Sequence, residues 1–90
     1  MLLTVDAETV AEYYGFVLTS VTDVKTSIYD EESYDYIYGD DYIKYELSSD
    51  EFKFTPLIDG TMSIEFYNGE EYLSSIVVTA TKHGRGFILE

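Results

Sequence analysis

The chain has 90 residues and no cysteine; 46% of its residues are hydrophobic, 17% are aromatic, and its formal net charge is −13. These features predict one folded domain spanning residues 1–90 and exclude disulfides and thiolate chemistry. The negative charge disfavours direct binding to nucleic acids or anionic membranes. With no apolar run of ~18 residues and no basic segment at its start, the chain is expected to be cytoplasmic.

A short helix is predicted over residues 6–14. The apolar residues there recur at helical spacing: Ala7, Val10, Ala11 and Tyr14. Asp6 is a suitable N-terminal cap, and Gly15 can take the left-handed conformation after the last turn. A helix this short needs a surface to pack on.

From Phe16 onward the sequence is typical of β-strands, with many β-branched residues and a hydrophobic period of two. Turns are predicted at Gly39-Asp40, Ser48–Glu51, Asp59-Gly60 and Asn68-Gly69, and in "KHGRG" at 82–86 before a last strand, "FILE". We therefore predict the α+β class, with the N-terminal helix packed on one face of an antiparallel β-meander of about five to six strands.

The turns also predict a strand register. The resulting cross-strand pairs are Tyr34–Tyr45, Asp35–Lys44, Tyr36–Ile43, Tyr45–Phe54, Glu46–Lys53, Leu47–Phe52, Phe54–Phe66 and Ile58–Met62. In this register one face of the sheet is apolar and lies under the helix. Its predicted members are Tyr34, Tyr36, Tyr38, Ile43, Tyr45, Leu47, Phe52, Phe54, Met62, Ile64, Phe66, Ile76 and Val78.

The segment Tyr29–Glu51 holds nine of the eighteen carboxylates and six of the ten tyrosines. Only Lys44 opposes its nine acids, so the segment carries a charge of −8. Carboxylates arrayed on adjacent strands can imitate the phosphates of a nucleic acid, and a basic groove would attract them. The predicted partner-binding residues are Asp30, Glu31, Glu32, Asp35, Asp40, Asp41, Tyr42, Glu46, Asp50 and Glu51.

In size, charge, absence of cysteine and this Tyr-rich acidic stretch, the chain resembles small acidic inhibitors carried by phages and mobile elements. These are DNA-mimic anti-restriction proteins, uracil-DNA glycosylase inhibitors and anti-CRISPR proteins. The resemblance implies an inhibitor that blocks the basic groove of a DNA- or RNA-handling enzyme or a CRISPR effector, in the host cytoplasm if a phage encodes it. No single residue is carried across from these proteins.

Two other functions agree with the same residues. An immunity-type antitoxin would neutralise a basic nuclease toxin by the same charge logic, and a structural or interaction module would pair sheet edges within a larger assembly. Catalysis is not expected, because the one histidine, His83, has no carboxylate near it in sequence. The acidic stretch from Asp30 does not match the calcium-loop pattern, so neither a metal site nor another cofactor is predicted. Lys82, His83 and Arg85 are predicted to form a basic turn.

Overall fold

The structure, a computed structural model, describes residues 3–6, 18–48 and 51–89. These residues form eight strands and one short 3₁₀ helix, Leu18–Ser20. The strands are β1 (Leu3–Asp6), β2 (Asp23–Asp30), β3 (Asp35–Tyr38), β4 (Ile43–Leu47), β5 (Glu51–Pro56), β6 (Gly60–Asn68), β7 (Glu71–His83) and β8 (Gly86–Leu89). They make two antiparallel sheets, one in the order β1-β5-β4 and the other in the order β3-β2-β6-β7-β8.

The α+β prediction is wrong, because the fold is a β-sheet-rich small domain. Within the described ranges, the 3₁₀ turn is the only helical element. Asp6, predicted to cap a helix, instead ends β1 and pairs with Glu51 of β5. A full ladder of backbone hydrogen bonds along β5 outweighs the weak local preference of Asp6 for a cap. The rest of the predicted helix, residues 7–14, lies outside the described residues.

The predicted register is confirmed for the β4–β5 hairpin. Tyr45 lies opposite Phe54, Glu46 opposite Lys53 and Leu47 opposite Phe52. Ser48 closes the hairpin, because its N–H donates to the carbonyl of Glu51 at 2.9 Å. Here the turn chemistry and the alternation of apolar residues specify the same pairing.

The turn predicted at Gly39-Asp40 is wrong, since β3 pairs with β2 and not with β4. The Gly39 N–H donates to the carbonyl of Thr26 at 3.1 Å, and the Thr26 hydroxyl donates back to the Gly39 carbonyl at 2.6 Å. These bonds hold the chain on β2 as far as Gly39, after which it crosses to the other sheet. The predicted pairs Tyr34–Tyr45, Asp35–Lys44 and Tyr36–Ile43 are therefore absent.

The turn predicted at Asp59–Thr61 is also a crossover between sheets and not a hairpin. β5 pairs with β1 and β4, whereas β6 pairs with β2 and β7, so the predicted pairs Phe54–Phe66 and Ile58–Met62 do not form. Two later turns are confirmed: the β6–β7 hairpin bends at Gly69 (φ 61°) and the β7–β8 hairpin at Gly84 (φ 62°). Both glycines take the left-handed conformation that these tight turns require.

The core lies between the two sheets. Phe52 of β5 and Phe66 of β6 are fully buried, and their ring centroids are 5.1 Å apart in an edge-to-face contact across the sheets. Leu18 and Val21 add to this core from the segment before β2. The predicted core residues that are confirmed as buried are Ile43, Phe52, Phe54, Met62, Ile64, Phe66, Ile76 and Val78. Leu47, also predicted, is half-buried and packs against them.

The tyrosines predicted in the core are on the surface. Tyr34 is 81% exposed and Tyr38 is 60% exposed, and Tyr36 and Tyr45 are also exposed. Pairing with β2 places Tyr36 opposite Tyr29, and Tyr38 opposite Ser27, on the face that points away from the core. A tyrosine tolerates either face because its ring is apolar and its hydroxyl is polar.

Candidate partner-binding surface

The β2–β3 turn carries four of the predicted site residues. Asp30 holds the turn, because its Oδ1 accepts the N–H of Glu32 at 3.2 Å and its Oδ2 accepts the hydroxyl of Ser33 at 3.0 Å. Asp35 lies opposite Asp30 and accepts the N–H of Tyr36 at 2.8 Å. The side chains of Glu31 and Glu32 are exposed and make no hydrogen bond within the described residues. The turn therefore presents two carboxylates that shape it and two that are free to bind a partner.

The crossover from β3 to β4 carries Asp40, Asp41 and Tyr42. Both aspartates are exposed, whereas Tyr42 is half-buried and packs against the core. A Cβ at Gly39 would lie 2.9 Å from the Tyr42 ring, so the glycine lets the ring close over the bend. The Tyr42 carbonyl also accepts the N–H of Leu57 at 2.9 Å. Tyr42 thus supports the loop that presents the two aspartates.

The β4–β5 hairpin carries Glu46 and Glu51, while Asp50 lies outside the described residues. Lys53 is opposite Glu46 in the register, and its Nζ is 3.0 Å from Oε1 of Glu51. Within residues 18–48 and 51–89 this is the one ion pair found. The hairpin's charge is thus partly balanced by a lysine of its own, unlike the charge of the β2–β3 turn.

The ten predicted residues do not share one sheet, because β3 and β4 belong to different sheets. Asp40 lies where the chain crosses from one sheet to the other. It lines a shallow groove of about 550 Å³ together with Lys25, Tyr38 and Tyr45. A second groove beside it contains Asp40 together with Lys44, Glu46 and Lys53. Three of the five Lys/Arg residues therefore line grooves at the β3–β4 crossover, and the exposed acids lie mainly at the turns.

Sequence reasoning missed the outer face of the five-stranded sheet. The cross-strand register places Tyr29, Tyr36, Tyr38, Tyr67 and Tyr72 on this face, which we call the tyrosine face. The rings form edge-to-face pairs, Tyr29–Tyr36 at 5.4 Å and Tyr67–Tyr72 at 5.8 Å between centroids. The alternation of Tyr36 and Tyr38 in "YIY" signals a common face, but it does not show which side of the sheet that face is on.

Two polar contacts order the centre of the tyrosine face. The Tyr38 hydroxyl donates to Oε1 of Glu65 at 2.7 Å, and Nζ of Lys25 lies 4.5 Å from the centroid of the Tyr67 ring. The pKa of Tyr38 is raised to about 12. The hydrogen bond to Glu65 is the largest cause, and partial desolvation is the second. The hydroxyl is therefore a proton donor throughout the physiological range.

The described part of the chain also shows where the predicted basic turn lies. His83 lies at the exposed β7–β8 turn with Lys82 and Arg85, as predicted for the basic turn. No group of three or more acidic or histidine side chains within the described residues is arranged to hold a metal ion. None of the helical structure described is long and apolar enough to cross a membrane.

Comparison with protein-family models, with curated proteins and with solved structures gave no match.

Proposed function

We propose that this protein is an inhibitor that occupies the basic nucleic-acid groove of a DNA- or RNA-handling enzyme or effector complex. The observation that carries the proposal is the set of exposed acids at the β2–β3 turn and the β3–β4 crossover. Glu31, Glu32, Asp40 and Asp41 form no ion pair within the described residues. Their field is available to an external cation, because none of the four is held in an ion pair within those residues.

The accessible area is 5841 Å², and a standard protein interface buries about 800 Å² on each partner, or roughly one seventh of that area. A partner that contacts the crossover would also approach Lys25, Lys44 and Lys53, which line the grooves beside Asp40, whereas the β2–β3 turn contains no Lys or Arg. Long-range attraction would speed association, and added salt would weaken it steeply.

The test compares charge reversals of equal size at different places on the surface. E31K/E32K and D40K/D41K each change two acids to lysine, so the net charge rises by four, from −13 to −9. E70K/E71K makes the same change at the β6–β7 turn and is the matched control. None of these six side chains makes a hydrogen bond within the described residues.

The assay uses a panel of nucleases, glycosylases and RNA-guided effectors with a fluorescent DNA duplex. The wild-type protein should displace the duplex from at least one of them, and less so at high salt. Either site variant should weaken this displacement by tenfold or more, while E70K/E71K changes it much less. If all three variants compete equally well, or if the protein displaces duplex from no panel member, the proposal is wrong.

A further inference from the structure

The tyrosine face has apolar rings and ends at the acidic β2–β3 turn. Tyr29 and Tyr36 are at the end next to Glu31 and Glu32. Tyr38 is 60% exposed and Tyr72 is 53% exposed, so the faces of these rings are accessible. Rings bordered by carboxylates combine the two groups that bind a guanidinium ion well.

The protein itself shows that this face accepts a cation. The ammonium group of Lys25 lies over the Tyr67 ring, and Lys25 is opposite Glu65 in the register, whose carboxylate accepts the Tyr38 hydroxyl. A second cation entering from a partner would find further rings of the same kind at Tyr36, Tyr38 and Tyr72. A second copy of the chain is disfavoured as the occupant, because each copy carries −13.

We infer that the tyrosine face binds arginine side chains of a basic partner polypeptide, with guanidinium planes stacked on the tyrosine rings and paired with Glu31 and Glu32 at the β2–β3 turn. The inference rests on the proposed function for the basic nature of the partner, and adds that the partner presents arginine in preference to lysine. Arginine stacks through its planar, weakly hydrated guanidinium, which the compact and strongly hydrated ammonium of lysine cannot do. The acids supply attraction for either cation, whereas the rings supply the preference.

The experiment compares fluorescent arginine and lysine homopeptides of equal length by anisotropy at one salt concentration. The wild-type protein should bind the arginine peptide more tightly. Y38I and Y72I should each reduce that preference, by about two- to fivefold per ring, with little change for the lysine peptide. Y38F keeps the ring and should keep the preference. Y34N removes an exposed ring from the β2–β3 turn, outside the tyrosine face, and should also keep it.

The outcomes separate this inference from the proposed function. E31K/E32K should weaken both peptides together, because it changes charge and not rings. Equal affinity of the wild-type protein for the two peptides would overturn the arginine assignment and leave the acidic inhibitor proposal standing. Light scattering that shows dimers which Y38I and Y72I abolish would assign the face to a second copy and also overturn it. Circular dichroism of each variant establishes that it is folded before binding is measured.

Discussion

Replacing Phe52 with alanine should remove much of the contact that joins the two sheets. Phe52 is fully buried, and its ring packs on Phe54 at 5.8 Å and on Phe66 of the opposite sheet at 5.1 Å. Truncating a buried phenylalanine costs about 3–5 kcal/mol, because apolar area is lost and a cavity remains. A domain of 90 residues has a stability of about 4–14 kcal/mol at the usual value per residue. The substitution should therefore remove a large fraction of the free energy of unfolding.

Urea denaturation followed by far-ultraviolet circular dichroism measures this loss, because the chain has no tryptophan to report on unfolding. Y45A is the matched control: Tyr45 also contacts the Phe52 ring, at 5.8 Å, but is 41% exposed. Y45A should lower the free energy of unfolding by about 1–2 kcal/mol, because the exposed Tyr45 buries less apolar area than Phe52 does. If Phe52→Ala costs less than about 1 kcal/mol, or no more than Y45A, then the sheets are not held together through this aromatic cluster.

Two further predictions concern single tyrosines of the β2–β3 hairpin. Tyr34 has φ 57°, a left-handed conformation that asparagine tolerates better than tyrosine. Y34N should therefore raise the free energy of unfolding by about 1 kcal/mol in the same urea assay. A decrease would argue against that backbone conformation. The pKa of Tyr38 is raised to about 12. The stabilisation from its hydrogen bond to Glu65 should therefore be complete below pH 10 and disappear as the pH rises through 12. E65Q should lower the pKa of Tyr38 toward 10, measured as the phenolate absorbance that Y38F removes; an unchanged titration would contradict the Tyr38–Glu65 contact.

Local turn chemistry made several elements predictable. Ser48 and Glu51 close the β4–β5 hairpin, and the register on either side of them follows from the alternation of apolar residues. Gly69 and Gly84 are at turns because each bends the chain with a positive φ. In each of these hairpins, the residues that determine the pairing lie within a few positions of one another.

Strand partners in different parts of the chain were not predictable in this way. Gly39-Asp40 is a chemically suitable two-residue turn, yet it carries the chain from one sheet to the other. The deciding contact is with Thr26, thirteen residues earlier, and nothing near Gly39 in sequence indicates it. The crossover also separates the predicted site residues. The acids before and after it were expected on adjacent strands, but they lie in separate sheets.

Sequence alone determined the excess of negative charge, its concentration between residues 29 and 51, the strand character of the chain and most of its buried apolar positions. Tertiary structure decided which strands became neighbours, and with them the outward direction of the tyrosines. The physical reason is that turn preferences act over a few residues, whereas the pairing of β2 with β6 depends on how two sheets bury their apolar faces together. Leucine and phenylalanine have one favourable side of a sheet, but tyrosine is stable on either, so only the assembled fold could place it.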